Sequence, residues 1–155
     1  MIKLIVFDWN GVLLADAQAC TDAENHVLKV FGGRRISLKE FRETIHIPAI
    51  DFYVLHGCDK KRLIRESKRL GQTFHTYYED RVKHCRTRKG ASDLLEWMES
   101  KLIRSIILSN HTVTGINAQL ARLNLKSYFD KVLATDKLDT SMKRQSKPER
   151  LKNIS

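Results

Sequence analysis

Three segments of the sequence carry side chains that could act together on a phosphoryl group. Asp8 directly follows an apolar run, and Ser109 and Asn110 follow a second one. Lys147 stands far downstream, before a proline. An aspartate carboxylate can serve as a covalent nucleophile for phosphoryl groups. A hydroxyl and main-chain N–H groups at a helix start suit an anion, and a lysine stabilises a phosphoryl transition state.

Each of these residues also has a structural interpretation. An aspartate that ends a strand is often a turn residue, and Ser109 suits the N-cap of a helix. Lys147 has the alternative of being one more surface lysine. The order of the three segments along the chain favours the chemical interpretation over three unrelated structural ones.

The elements that must position these residues follow from the spacing of apolar side chains. Short, β-branched runs over 2–7 and 103–108 predict buried strands, and residues 130–134 are predicted to form a third strand. Helical spacing predicts helices over residues 16–31, 37–45, 60–70, 73–84, 91–100 and 112–123, with a further segment starting at Pro48. Gly71 is expected to separate the two helices around it, and Ser37 with Glu40 forms a predicted capping box.

The alternation of strands and helices predicts an α/β fold with a parallel sheet and a long helical insertion after the first strand. In such sheets, ligands bind beyond the carboxyl ends of the strands. Here those ends are Asp8, Ser109 and the region of Thr135. Gly115, inside the last predicted helix, costs about 1 kcal/mol relative to alanine.

The charge of the chain raises the question of nucleic-acid binding. The sequence has 28 Lys and Arg against 18 Asp and Glu, a net charge of +10. Eleven of these basic residues lie between Lys60 and Lys89, against three acidic ones. They predict either a phosphate-attracting surface or a solvated helical face. Few aromatics are interleaved and no nucleic-acid motif occurs, so nucleic acid is disfavoured as a partner.

Composition excludes several other classes of protein. The 155 residues suggest about one domain, and no run approaches the ~18 apolar residues of a membrane span. No signal-peptide pattern follows Met1. Cys20, Cys58 and Cys85 are widely spaced and form no CxxC pair, so reduced thiols and a cytoplasmic location are expected.

Three motifs resemble those of the haloacid dehalogenase-like superfamily of hydrolases, in its phosphoglycolate-phosphatase-like branch. The segment 7–14, FDWNGVLL, resembles the first motif of that family, an Asp-x-Asp-Gly-Thr pattern that closes strand one. The segment 106–110, IILSN, resembles the second, and 146–148, SKP, the third. The resemblance covers essentially the whole chain.

The resemblance implies a phosphomonoester hydrolase that acts on a small phosphorylated metabolite. Asp8 would be the nucleophile that forms an aspartyl-phosphate, and Mg²⁺ would bind to its carboxylate and to the main-chain carbonyl of Asn10. Ser109 and Asn110 would bind the phosphoryl oxygens. Lys147 would bridge nucleophile and phosphate electrostatically.

The resemblance also implies a Rossmann-like core of residues 1–14 and 88–155, with an inserted helical cap over 15–87 that closes over the site. The fourth motif of the family, an acidic Gly-Asp-type loop, is expected roughly 20–30 residues beyond Lys147. Residues 148–155 contain no acidic pair, so the core is expected to be incomplete at its C-terminus. In the family, the strand that carries the fourth motif pairs with strand one, whose edge would then be uncovered. We expect either a fragment, or a homo-oligomer or partner that covers the edge of strand one.

Two departures from the first motif bear on activity. Asn10 stands where the family has an aspartate that serves as general acid and base, help that is typically worth 10²–10⁴-fold in rate. Val12 stands where threonine is common. A weak phosphatase is therefore one hypothesis, and a catalytically inert binding or interaction protein of the same fold is the alternative. Dehalogenase chemistry ranks below both because the pattern around the first motif differs.

Overall fold

The computed structural model describes residues 2–46 and 48–135, which form two compact units. One unit comprises residues 2–16 and 84–135, and the other comprises residues 17–46 and 48–83. In chain order the strands and helices are β1 Leu4–Phe7, α1 Ala17–Phe31, α2 Leu38–Thr44, α3 Ala49–Leu55, α4 Lys60–Arg65, α5 Ser67–Val82, α6 Ala91–Ser100, β2 Arg104–Thr112, α7 Val113–Leu123, a short 3-10 helix Lys126–Tyr128, and β3 Lys131–Thr135.

The first unit is built on a parallel sheet in the order β1-β2-β3. The sheet confirms the predicted α/β class. The run 105–109 in the central strand β2 is buried, because helices and neighbouring strands surround a strand of this kind. In register, Leu4 lies beside Arg104 and Phe7 beside Ile107, so the carboxyl end of β1 meets the later part of β2.

The pairing of β2 with β3 becomes irregular after Leu108. Leu108 pairs with Leu133, but the next pair is Thr112 with Thr135, so four steps along β2 match two steps along β3. Extra residues of this kind bend a strand and redirect its side chains, and they are common beside active sites. The irregularity therefore falls on the segment that carries Ser109 and Asn110.

The second unit is helical, and α1 and α5 pack against each other along it. Its core is a cluster of apolar side chains from α1, α3, α4, α5 and the loops between them: Val27, Leu28, Phe31, Ile36, Ala49, Ile50, Phe52, Tyr53, Cys58, Leu63 and Leu70. Gly32, at φ +84°, follows the last residue of α1 and ends the helix, because the left-handed region suits glycine. The capping box of Ser37 and Glu40 is also present.

Several predicted boundaries are wrong. The break after α4 falls at Glu66, and Gly71 lies inside α5. Glu66 forms ion pairs with Arg62 and Arg69 on either side of it, a local network that the periodicity of apolar residues does not report. Strand β1 begins at Leu4 rather than residue 2. β2 continues to Thr112, four residues beyond its predicted end at 108.

The prediction that the first strand is buried is wrong, because the even-numbered side chains on and before β1 are apolar and exposed. Ile2 is 66% exposed, and Leu4 and Val6 are 38% and 39% exposed. Within the described residues, β1 pairs with β2 alone. In the same part of the chain, no helix has the length and apolar character needed to cross a membrane.

Candidate active site

The candidate site begins where β1 ends. Asp8 follows Phe7 directly, and its side chain is half-buried. The main-chain N–H of Trp9 donates to the Asp8 Oδ1 atom at 2.8 Å. The end of β1 on one side and this hydrogen bond on the other hold the carboxylate at the carboxyl end of the sheet, which is where the topology predicts a ligand.

Trp9 anchors the turn after Asp8. Its indole is fully buried, and the indole N–H donates to the Gln119 Oε1 atom in α7 at 2.5 Å. The ring packs edge-on against Phe129, with the ring centroids 6.5 Å apart. The Trp9 carbonyl accepts from the N–H groups of Leu13 and Leu14, each at 3.1 Å. The chain therefore folds tightly back on itself immediately after the proposed nucleophile.

Asp16 holds the middle of this turn. Its carboxylate accepts from the Asn10 Nδ2 atom and from the Gly11 main-chain N–H, each at 2.7 Å. Gly11 has φ +71°, which side chains rarely tolerate. On the other side of the same residue, the Arg88 guanidinium donates to the Gly11 carbonyl at 2.8 Å. Two oppositely charged side chains thus fix both main-chain groups of Gly11.

The Ser109 hydroxyl joins β2 to this turn. Ser109 is 1% exposed, and its hydroxyl donates to the Asn10 Oδ1 atom at 3.3 Å. The same oxygen accepts from the His111 main-chain N–H at 3.1 Å. Ser109 is therefore a strand residue, and the alternative that it caps a helix is wrong. The N-cap of α7 is Thr112, whose hydroxyl accepts from the Gly115 N–H at 3.1 Å.

The structure brings some of the predicted site residues together. Asn10 and Ser109 are in direct contact, and Asp8 lies two residues from Asn10. Asn110 lies next to Ser109 in β2 and is half-buried. Lys147 lies outside the described residues.

Three residues of this network do not follow from the sequence patterns: Asp16, Arg88 and Gln119. Asp16 is the first residue of the predicted helix 16–31, but in the structure it directly precedes α1. Arg88 contacts Gly11 across 77 positions and Gln119 contacts Trp9 across 110 positions. No local pattern signals such pairs. Two signals were available: an aspartate close to the first motif, and a glutamine on the apolar side of a predicted helix.

The arrangement offers oxygen atoms and a positive charge near one turn. Carboxylate and main-chain carbonyl oxygens are the donors that a hard divalent cation prefers, and Asp8 and Asn10 supply one of each. The donor set therefore fits a magnesium ion. The Ser109 hydroxyl, which both donates and accepts, is a suitable partner for a phosphoryl oxygen.

Comparison with known families supports a single assignment. Residues 5–150 match the model of a family described as haloacid dehalogenase-like hydrolases. No curated protein sequence matches the chain.

Solved structures share the fold at low sequence identity. A predicted phosphatase from Clostridium acetobutylicum is 17% identical with a TM-score of 0.73, over 98% of this chain and 68% of that one. A haloacid dehalogenase-like family hydrolase from Streptococcus pneumoniae is 18% identical with a TM-score of 0.71, over 87% and 62%. A predicted phosphoglycolate phosphatase from Haemophilus somnus is 18% identical with a TM-score of 0.69, over 87% and 63%. The matched region spans about two thirds of each relative.

Proposed function

Because this chain belongs to the haloacid dehalogenase-like hydrolase family, we propose that it hydrolyses phosphomonoesters of small metabolites through Asp8. The observation that carries the proposal is the meeting of two strand ends. The turn after Asp8 contacts Ser109 through Asn10, so the proposed nucleophile and the proposed phosphate-binding hydroxyl lie at the same end of the sheet. The carboxyl end of the strands is where parallel α/β sheets bind their ligands.

The proposed reaction has two displacements at phosphorus. A carboxylate oxygen of Asp8 attacks the phosphorus and the bond from phosphorus to the ester oxygen breaks. An aspartyl-phosphate and an alkoxide or phenolate leaving group result, and the alkoxide takes its proton from water. Water then attacks the phosphorus, and the bond from phosphorus to the Asp8 oxygen breaks, which restores the carboxylate. The proton of the attacking water passes to the released phosphate or to solvent. Ser109 and Asn110 would hold the phosphoryl oxygens, and Lys147 would stabilise their negative charge.

Magnesium is the proposed cofactor. The Asp8 carboxylate and the Asn10 main-chain carbonyl would hold it, since both are oxygen donors. When bound, the ion supplies positive charge that offsets the repulsion between the nucleophile and the phosphate.

With Asn10 in place of an acid, the rate of hydrolysis should depend on whether the leaving group of the ester needs a proton. An alkoxide leaving group needs a proton, and a carboxamide does not transfer one in that role. A nitrophenolate leaves without protonation. We therefore expect this chain to favour activated aryl esters over alkyl phosphates by about 10²-fold or more, the range of rate that general acid catalysis provides. Hydrolysis of p-nitrophenyl phosphate and glycerol phosphate, compared by kcat/KM, measures the ratio.

The decisive experiment compares Asp8→Asn with the wild type. p-Nitrophenyl phosphate is supplied with Mg²⁺ or with a chelator, and release of nitrophenolate is followed. We expect metal-dependent turnover that Asp8→Asn abolishes. The control is Asp93→Asn, an exposed carboxylate in the first turn of α6 that should leave the rate unchanged. Turnover that persists in Asp8→Asn would refute the proposal.

A second candidate function rests on Asn10. A chain that holds a phosphoester but lacks an acid at this position would bind its ligand without turning it over. Retained binding of inorganic phosphate, measured by calorimetry, together with no hydrolysis of either ester would favour this candidate. Steeply salt-dependent nucleic-acid binding that Asp8→Asn does not alter would favour neither.

Two further proposals concern the helical unit and the exposed side of β1. We propose that the helical unit, predicted at 15–87, serves as the cap that excludes water from the site. The exposed apolar side chains of Ile2, Leu4 and Val6, together with the outer edge of β1, fit contact with a second copy of the chain or with a partner, which sedimentation at several concentrations would test.

A further inference from the structure

Asp16 is a buried carboxylate that the proposed mechanism does not use. It is 1% exposed, and it directly precedes α1. Its Oδ2 atom accepts from the Asn10 side chain and its Oδ1 atom from the Gly11 main chain, both at 2.7 Å. Hydrogen bonds to an ionised acceptor are about twice as strong as those between neutral groups. The turn that follows the nucleophile therefore has a strong internal anchor.

The contact with Asp16 also determines which way the Asn10 amide faces. A carboxylate only accepts hydrogen bonds, so the Nδ2 atom of Asn10 must face Asp16. The Oδ1 atom of Asn10 is then left to face β2, where the Ser109 hydroxyl donates to it at 3.3 Å. The orientation of the Ser109 hydroxyl thus depends on Asp16, although these two side chains have Asn10 between them.

We propose that Asp16 is a positioning residue for phosphoryl transfer, because it fixes the Asn10 amide and through it the Ser109 hydroxyl. The mechanistic part of this inference rests on the proposed function. Asp16 also fixes the Gly11 N–H and so holds the main chain next to Asn10, whose carbonyl is a proposed metal ligand. A displacement of about 1 Å in a positioned group can cost about 10²-fold in rate.

The pair also explains why an amide suits position 10 in this chain. An aspartate there would face Asp16 with two acceptors and no donor between them, and with two negative charges at hydrogen-bonding distance. Asn10→Asp alone therefore disrupts the turn, although it introduces an acid. Exchanging the pair, in Asn10→Asp with Asp16→Asn, restores one donor and one acceptor. The exchanged pair still offers an acceptor to Ser109 and to Gly11.

The test measures melting temperatures of four proteins: wild type, Asn10→Asp, Asp16→Asn and the exchanged double variant. Each single variant should melt about 3–8 °C lower than the wild type, and the double variant should recover at least half of the larger loss. Asp93→Asn, an exposed carboxylate in the same unit, is the matched control and should melt within about 1 °C of wild type. Additive losses in the double variant, or an Asp16→Asn loss no larger than the control, would overturn the inference.

Kinetic measurements distinguish a positioning role of Asp16 from a role in stability alone. In p-nitrophenyl phosphate hydrolysis below the melting range, Asp16→Asn should lower kcat at least about tenfold with KM within about twofold. An unchanged kcat in a folded Asp16→Asn protein would overturn the positioning role. If the wild type shows no turnover, the proposed function fails, and the exchange experiment alone decides whether Asp16 sets the turn.

Discussion

Gly115 is required because a neighbouring side chain leaves no room for a Cβ atom, and not because its backbone dihedral angles demand glycine. A Cβ atom at this position would lie 2.4 Å from the His111 Nε2 atom and 2.9 Å from the Thr112 hydroxyl oxygen. Real Cβ contacts are not that short, so the imidazole would have to move. Glycine is therefore kept in the first turn of α7, despite its poor helix propensity, because His111 packs against the helix there.

This contact reverses the usual effect of replacing a helical glycine. Gly115→Ala should lower the free energy of unfolding by about 1–3 kcal/mol, since overpacking outweighs the gain in helix propensity. In a His111→Ala background the same substitution should cost about 1 kcal/mol less, because the ring is gone. Urea unfolding of the four proteins measures both values. An equal cost in both backgrounds would show that His111 is not the obstacle.

At the scale of elements, α2 depends on its ends. It has seven residues, none of them fully buried, so packing contributes little to its stability. The Ser37 hydroxyl accepts from the Glu40 N–H at 3.1 Å, and Glu40 accepts from the Ser37 N–H at 2.8 Å. This bond to the Ser37 main chain, with the Arg34 guanidinium beside it, lowers the pKa of Glu40 to about 2.

Removal of the Ser37 cap should therefore cause a measurable loss of stability. Ser37→Ala should lower the free energy of unfolding by about 1 kcal/mol, because the Glu40 N–H loses its partner, whereas Ser37→Asp should retain most of it. Denaturant unfolding followed by circular dichroism measures the difference. The cap would be unimportant if Ser37→Ala and Ser37→Asp had the same stability.

At the scale of the whole molecule, one buried carboxyl couples stability to pH. Glu24 is 6% exposed in the core of the helical unit, and burial raises its pKa from 4.5 to about 7, although a hydrogen bond from Tyr53 opposes the shift. The folded state therefore binds a proton that the unfolded state has released between these two values. Stability from Glu24 is full below about pH 4.5 and is lost as pH rises towards 7.

This coupling predicts the behaviour of Glu24→Gln, which carries a permanently neutral side chain. The wild type should lose about 3 kcal/mol relative to Glu24→Gln between pH 4.5 and 7.5, from about 1.4 kcal/mol for each unit of pKa shift. Urea unfolding of both proteins across this pH range measures the difference. Because other titrating groups such as His56 are present in both proteins, their contributions cancel in the comparison. Glu43 is an exposed carboxyl on α2, and the stability of Glu43→Gln should show the same pH dependence as that of the wild type. Parallel curves for wild type and Glu24→Gln would contradict the assignment.

The sequence by itself determined the order of the strands and helices, and it predicted the end of the sheet where we propose the site. Apolar periodicity gave α6 at its observed bounds, and the run before Asp8 gave the strand that presents it. Ser37 and Glu40 predicted their own capping box. These features depend on residues a few positions apart, so the pattern along the chain contains the physical cause.

The tertiary structure alone decided how the site is held together. The bond from Ser109 to Asn10 spans 99 positions, and that from Arg88 to Gly11 spans 77. The structure also shows that Asp16 faces Asn10 and that β2 runs on to Thr112. Sequence spacing could not predict these facts, because hydrogen bonds between distant residues form only after the strands are paired and the turn is closed.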